Sequence, residues 1–267
     1  MSFALTALHR VHPSRPVEGH AVPPDVGVTV LRWFVLATML FVVSPAFADE
    51  CASSPPLYEA EYSLVRKGKA AGFMQVILKQ KSTDNFVYSM DTRAKWGIVS
   101  PRILQQSVFT LKDGVVLPVS FQAIQKVSFY KRRESLDFNW EKQTAIGRKK
   151  RVDFAMDIHS GVQDKLTIYL LLARELCKGE YTIEADVASG PVIKTYQYRF
   201  QAKETLPTAL GTLDTIHIRR GDAGDEKQTD IWHAEAIGFL PVKLVYRNKD
   251  AVTTMSLTEI SFGRGPD

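Results

Sequence analysis

The chain has 267 residues, of which 45% are hydrophobic and 24% charged, and its formal net charge is +5 at pH 7. This apolar content excludes a wholly disordered chain, and the length is sufficient for one large domain or two small ones. The mild positive charge permits contact with anionic lipid headgroups or acidic polymers without requiring it, and nothing in the chain indicates nucleic-acid binding.

The first recognisable element is a secretory signal peptide at about residues 30–48. Arg32 precedes a short apolar run, residues 33–43, and an A-x-A cleavage site ends at Ala48. The apolar run is too short to span a bilayer comfortably, although a membrane anchor is the alternative interpretation. We therefore expect an exported protein, periplasmic in a Gram-negative bacterium and not integral to the membrane after processing.

The domain organisation follows from that cleavage site. Residues 1–29 are rich in proline and fit no regular structure, so a start site further downstream is one explanation and a long leader is another. We assign residues 1–48 to this leader and the signal peptide. The remainder, residues 49–267, contains no repeat, low-complexity tract or linker and is predicted to form a single domain.

Apolar and polar residues alternate through most of the mature chain, which is typical of half-buried β-strands. The alternating segments are 57–66, 74–78, 86–93, 103–111, 119–129, 136–140 and 152–156 in the first half, and 181–187, 192–202, 213–220, 229–234, 239–246 and 252–262 in the second. Short polar turns separate them, so we predict a mainly β fold with a large antiparallel sheet.

One long helix interrupts this pattern at about residues 161–178. Ser160 and Gln163 match a capping box, and Gly179 lies where a helix commonly ends. The apolar arc of this helix is wider than one stripe, so it cannot lie on a surface exposed to water. The sequence therefore predicts a curved sheet or half-barrel wrapped around one central helix.

The two cysteines, Cys51 and Cys177, allow one intramolecular disulfide. In an oxidising compartment such a bond would join the N-terminal tail to the end of the helix. The alternative is a buried Cys177 and a free thiol at Cys51, and one sequence contains no distance that decides between them. Lipidation of Cys51 is disfavoured because Asp49 and Glu50 occupy positions where a lipobox has small residues.

Several local patterns resemble a family of exported bacterial proteins known as domain of unknown function 3108. They are Tyr58-x-Ala60-x-Tyr62, Phe138-x-Trp140, the segment 162–169, the segment 208–212, Ile231-Trp232-His233-Ala234 and Leu240-Pro241-Val242. The resemblance covers most of the mature chain and implies a fold rather than an activity. The layout is also similar, more weakly, to the half-barrels of outer-membrane lipoprotein carriers, which hold an acyl chain.

No group of residues predicts catalysis. Asp157, His159 and Ser160 are residue types found in hydrolase triads, but neighbours this close in sequence cannot form the relay, and no G-x-S-x-G elbow is present. We interpret them as a strand end followed by a helix cap. The sequence therefore predicts a protein that is not an enzyme.

Metal and cofactor sites are not predicted either. His217 alternates with polar residues on a strand, as a hydrogen-bonded histidine does, and His233 and Glu235 share a strand face without further ligands at suitable spacing. The acidic, glycine-rich segment 221–226 lacks the order of a calcium loop and is interpreted as an exposed turn.

Two basic runs, residues 131–133 and 148–151, could meet at one end of a hairpin. They would form either a rim that binds phosphate or lipid headgroups, or a solvated strand edge that positive charge protects from pairing with other chains. The second interpretation is favoured, because it requires no ligand.

The apolar interior is the remaining candidate site. Six residues at the helix and the adjoining strands are the speculative ligand-binding set: Leu166, Tyr169, Leu170, Phe138, Trp140 and Phe121. They could pack as a solid core or leave a cleft for a lipid-like ligand. The leading hypothesis is a non-catalytic binding protein of the cell envelope with a lipid as ligand. The alternative is a structural or interaction protein with a filled core and an envelope protein as partner.

Overall fold

A computed structural model describes Cys51, residues 54–222 and residues 225–263. The leader and the predicted signal peptide, residues 1–48, lie outside the described residues. Among those that are described, no helix is both long and apolar enough to cross a membrane.

One antiparallel sheet of fourteen strands dominates the molecule. The strands are β1 Tyr58–Arg66, β2 Lys69–Ser82, β3 Asn85–Ala94, β4 Arg102–Lys112, β5 Val115–Val127, β6 Tyr130–Asn139, β7 Thr144–Lys149, β8 Val152–Asp157, β9 Ile183–Ala188, β10 Ile193–Thr208, β11 Gly211–Arg220, β12 Lys227–Ala234, β13 Leu240–Asn248 and β14 Ala251–Phe262. One helix, α1, spans Thr167–Cys177. The predicted mainly β architecture around a single helix is confirmed.

The strand order is β8-β7-β6-β5-β4-β3-β2-β1-β14-β13-β12-β11-β10-β9, so two meanders meet where β1 pairs with β14. β8 and β9 are the edges of the sheet, and the chain between them contains α1. The sheet does not close into a barrel through strand pairing. Alternation along each strand sends one set of side chains toward the helix and the other set outward.

The helix begins later than the sequence predicted, at Thr167 instead of Gly161. The reason is Asp164, whose Oδ1 atom accepts hydrogen bonds from the backbone N–H groups of Leu166 at 2.7 Å and Thr167 at 3.0 Å. The predicted capping box is wrong, because the Gln163 side chain turns inward and donates to the carbonyl of Val116 at 3.3 Å.

The helix ends as predicted. The N–H of Gly179, at φ +83°, donates to the Leu176 carbonyl at 3.0 Å, and the N–H of Glu180 donates to the Glu175 carbonyl at 2.9 Å. This pair of bonds is a Schellman motif, which requires the left-handed conformation that glycine adopts without steric cost. In the last turns of the helix, Leu172 and Leu176 are buried in the core.

The disulfide left open by the sequence is formed. Cys51 and Cys177 are bonded, with Cα atoms 5.7 Å apart, across 126 positions of sequence. The bond attaches the start of the domain to the last residue of α1.

Several contacts connect the β6–β7 region and the segment before the helix to β9 and the β9–β10 turn. Gln163 forms a parallel bridge with Val187 on β9, in which its N–H donates to the Asp186 carbonyl at 2.8 Å. Glu134 on β6 accepts a hydrogen bond from the N–H of Gly190, in the β9–β10 turn, at 3.0 Å. Lys149 on β7 donates to the Ser189 carbonyl at 3.5 Å. Gln163, in the segment that leads into the helix, thus contacts β9, and Glu134 and Lys149 contact the turn that follows β9.

Candidate functional site

A cleft of about 300 Å³ lies on the helix-facing side of the sheet, near one end of β4 to β7. Its lining combines apolar, amide and charged side chains: Ile103, Gln105, Ala123, Gln125, Arg132, Arg133, Glu134, Lys149, Lys150 and Lys165. The volume is at the lower end of the range for small-molecule sites, which begins at roughly 300 Å³.

Strand register explains why these residues meet. Phe121 and Leu136 are opposite each other on β5 and β6 and are fully buried, so they mark the inward face. Two residues further along, Ala123 is opposite Glu134 on that same face, and Glu134 is in turn opposite Lys149 on β7. The cleft is therefore the end of the sheet's inward face, beyond the part that the core fills.

Lys165, in the segment before the helix, forms one wall. Its Nζ atom lies 2.7 Å from both carboxylate oxygens of Glu134 and 5.7 Å from the centre of the Phe121 ring. Glu134 also lies 3.8 Å from the Nζ atom of Lys149. One carboxylate thus holds two ammonium groups at the base of the cleft.

Positive charge remains at the rim. In the part of the chain that the structure describes, the side chains of Arg133 and Lys150 form no ion pair. The Arg132 guanidinium stacks on the Tyr130 ring, and its Nε atom donates to the Tyr130 hydroxyl at 2.7 Å. Five cationic residues therefore line the cleft around a single carboxylate, although strand alternation places the Arg133 side chain on the outward face of β6. A small anionic group that contacts the apolar Ile103 and Ala123 would meet several hydrogen-bond donors of the cationic residues here.

The basic runs noticed in the sequence do come together. Their backbones pair through the N–H of Lys150, which donates to the carbonyl of Arg133 at 2.9 Å. Sequence reasoning missed Glu134, Lys165 and Gln105. The available signal was alternation, because Glu134 is two residues from the apolar Leu136 and so shares its face.

None of the six residues predicted to bind a ligand lines this cleft. Phe121, Phe138, Leu166 and Leu170 are buried in the hydrophobic core. The other two, Tyr169 and Trp140, are partly buried against it, and the Trp140 Nε1 atom donates to the Pro118 carbonyl at 2.7 Å.

Several polar groups inside the molecule are paired, whereas the buried Gln163 Oε1, Arg174 Nε and His233 Nε2 atoms have no hydrogen-bond partner among the described residues. The hydroxyls of Tyr58 and Tyr88 lie 2.9 Å apart, and the Tyr62 hydroxyl donates to the Pro241 carbonyl at 2.7 Å. The Ser107 hydroxyl lies 2.5 Å from the Asp164 carboxylate, whose pKa burial raises. These bonds are those of a filled interior.

Each histidine among the described residues contacts a polar group of a neighbouring part of the fold. His217 lies between two carboxylates, with Nδ1 3.0 Å from Glu204 and Nε2 2.8 Å from Asp230. His159 lies in an exposed contact with Asp186 at 3.0 Å. His233 is buried, its Nδ1 atom lies 2.7 Å from the Phe239 carbonyl, and burial lowers its pKa to about 4.

Asp230 is the centre of the most buried charged network. Burial alone would raise its pKa, but hydrogen bonds from Arg219 at 2.6 Å and from His217 outweigh burial and hold that pKa below its usual value. Arg247 is a further partner of the same carboxylate. Within the described residues, no group of three or more histidine, cysteine, aspartate or glutamate side chains is placed to hold a metal ion.

The family model described as "Protein of unknown function (DUF3108)" matches residues 58–258. The chain belongs to this family. The resemblance inferred from the local patterns is thereby confirmed. This DUF3108 protein matches no curated protein sequence.

Its fold is similar to a crystal structure described as a "beta-barrel-like protein of domain of unknown function DUF1849" from Brucella abortus. The TM-score is 0.55 at 11% sequence identity, and the match covers 79% of this chain and 99% of the other. At that identity the likeness concerns the fold alone.

Proposed function

We propose that this DUF3108 protein is a non-catalytic binding protein of the cell envelope, and that its basic cleft holds the anionic group of a lipid-like molecule. The observation that carries the proposal is the arrangement of Arg132, Lys149, Lys150 and Lys165 around the Glu134 carboxylate, next to the apolar Ile103 and Ala123, on the inward face of the sheet. Phosphate and carboxylate groups are the ligands that such a rim favours.

The proposal differs from the sequence hypothesis in where the ligand lies. Phe121, Leu136 and Leu166 are fully buried at the inner end of the cleft, so they leave little space between sheet and helix for an acyl chain. The cleft instead suits a headgroup or a compact amphiphile, with any longer chain directed outward along Ile103 and Ala123. The predicted signal peptide and the disulfide support an oxidising compartment outside the cytosol as the location of this activity.

Calorimetric titration with a short-chain lysophosphatidic acid, kept below its micelle concentration, tests the proposal. We expect binding by the wild type and a loss of at least about tenfold in the variant R132E/K150E, because each lost charge-assisted hydrogen bond contributes about that factor. Reversing these two charges breaks no ion pair among the described residues.

The matched control is K112E/K142E, which makes the same change of charge in exposed turns at the other end of the sheet. It should bind the probe as the wild type does. Organic extraction of protein purified from the envelope, followed by mass spectrometry, gives an independent measurement. Absence of both a co-purified lipid and probe binding would reject the proposal.

The filled interior supports a second candidate, a structural or interaction protein of the envelope that binds no ligand. The buried tyrosine pair Tyr58–Tyr88 and the bond from Tyr62 to Pro241 rigidify the space beneath the helix. Crosslinking in the native compartment separates the candidates, because an adaptor should yield a protein adduct and a carrier should yield lipid.

A further inference from the structure

A second surface, which adjoins the cleft and shares Arg132, Arg133, Lys149 and Lys150 with it, has an unusual composition. In an antiparallel meander the connections alternate between the two ends of the strands. The β1–β2, β3–β4, β5–β6 and β7–β8 connections therefore lie side by side at one end of the sheet, which we call the basic end. The β2–β3, β4–β5 and β6–β7 connections lie at the opposite end.

The two ends differ in charge. At the basic end, every charged residue in the segments 66–69, 95–102, 126–133 and 148–152 is lysine or arginine. At the opposite end each of the three turns contains an acid: Asp84, Asp113 and Glu141. The positive charge is thus a property of one end of the β1–β8 meander, because the β11–β12 and β13–β14 turns at the same end contain Asp222, Asp225, Glu226 and Asp250.

The basic end also exposes large apolar residues at the tips of tight turns. Ile98 follows Gly97 in a turn closed by hydrogen bonds between Trp96 and Val99 at 3.0 and 3.2 Å, and its side chain is 99% exposed. Phe129 occupies the two-residue turn between Val127 and Tyr130 and is fully exposed. Such turns normally contain glycine, asparagine or aspartate, so backbone geometry does not explain these side chains.

Position brings the two tips together. Arg102, which follows the Ile98 turn, is opposite Lys126, which precedes the Phe129 turn, on the adjacent strands β4 and β5. The two turns therefore belong to neighbouring hairpins at one end of the sheet. Neither side chain packs against the core, and water surrounds both. An exposed isoleucine and phenylalanine within a field of lysine and arginine do not stabilise the fold.

We propose that the basic end docks onto an anionic lipid bilayer, with Ile98 and Phe129 inserted among the acyl chains and the flanking lysines and arginines at the headgroups. The chemistry is complementary, because an anionic surface attracts each nearby basic residue and the apolar tips lose contact with water on insertion. A protein partner fits less well, since the tips protrude from separate turns and do not form one flat apolar patch. This docking does not depend on the cleft, because neither Ile98 nor Phe129 lines it.

Co-sedimentation with vesicles tests the proposal. The probe is a vesicle of phosphatidylglycerol and phosphatidylcholine in equal parts, compared with phosphatidylcholine alone, and the protein is the exported form with its N-terminus confirmed by sequencing. We expect the wild type to bind the anionic vesicles and to be released as salt screens the charges. The variant I98S/F129S should partition at least about tenfold more weakly, because two apolar side chains no longer insert.

Charge is tested separately by K67E/K95E, whose side chains are exposed at the basic end and do not line the cleft. Its partition coefficient should fall about thirtyfold, since each basic residue near an anionic surface contributes about a factor of five. The control K112E/K142E at the opposite end should bind as the wild type does.

Three results would overturn the proposal. They are failure of the wild type to bind anionic vesicles, equal weakening by K67E/K95E and K112E/K142E, and unchanged binding of I98S/F129S. Capture of an envelope protein by the same tips, without vesicle binding, would assign the surface to a protein partner instead. Unfolding midpoints of all variants in urea show whether any loss of binding reflects loss of fold.

Discussion

Glu134 and Lys165 form a closely paired contact between the sheet and the segment that precedes the helix. Both carboxylate oxygens of Glu134 lie 2.7 Å from the Nζ atom of Lys165, and one of them also accepts the N–H of Gly190 at 3.0 Å. The Glu134 side chain is only 11% exposed, so water replaces these bonds poorly. This carboxylate links β6, the segment before the helix and the β9–β10 turn.

The substitution E134Q should therefore have two opposite effects. The free energy of unfolding should fall by about 1–3 kcal/mol, because a mostly buried ammonium group loses its counter-charge. Affinity of the cleft for a phosphate-bearing probe should rise, because the substitution removes the one negative charge among the residues that line the cleft. Urea denaturation and calorimetric titration measure the two effects. The control E141Q, in an exposed turn, should change neither.

A second prediction concerns Asp230, which has hydrogen bonds from His217 and Arg219 and a contact with Arg247. Replacement by asparagine leaves these cations without their shared anion, and we expect D230N to lose about 3–5 kcal/mol of stability. The exposed pair of Arg148 and Asp153 is the control, and D153N should leave the denaturation midpoint nearly unchanged. Equal effects of the two substitutions would contradict the assignment of Asp230 as the centre of a buried network.

The lowered pKa of His233 predicts that the free energy of unfolding depends on pH. Its pKa is about 4 in the folded protein, below the usual 6.5, because burial disfavours the imidazolium. Between these values the unfolded chain takes up a proton that the folded protein does not, so stability is full above pH 6.5 and declines as the pH falls toward 4. The decline from this one group is roughly 3 kcal/mol.

The measurement for His233 is urea denaturation at several pH values for the wild type and H233N. Asp164, whose pKa burial raises, changes stability with pH in the opposite direction. The difference between the two proteins isolates the histidine. H233N should be less stable at neutral pH and should lose less stability on acidification, and parallel curves would refute the prediction.

The disulfide between Cys51 and Cys177 should stabilise the fold chiefly by restricting the unfolded chain. With 126 positions between the cysteines, the chain-entropy model gives about 4–5 kcal/mol for this bond. Denaturation with and without a reducing agent measures the difference, and C51S/C177S should be insensitive to the reductant. An unchanged midpoint after complete reduction of the wild type would mean that the tail is held by other contacts.

Much of the fold was predictable because its signals are local. Alternation with a period of two depends on the side chains of one strand, as in Tyr58-x-Ala60-x-Tyr62, and the helix stop at Gly179 depends on a single left-handed residue. The helix start was mispredicted because Asp164 was not identified as the capping residue. Its surroundings include Ser107, a distant residue that a local pattern does not contain.

The sequence by itself determined a mainly antiparallel sheet, one buried helix and one available cysteine pair, because each depends on residue types and their spacing. Only the tertiary structure decided that Cys51 and Cys177 meet and that the space beneath the helix is packed. It also placed Lys165 against Glu134, 31 positions away in sequence. The physical reason is that register and edge-to-edge approach are set by contacts between distant strands, and no single strand encodes its distance from another.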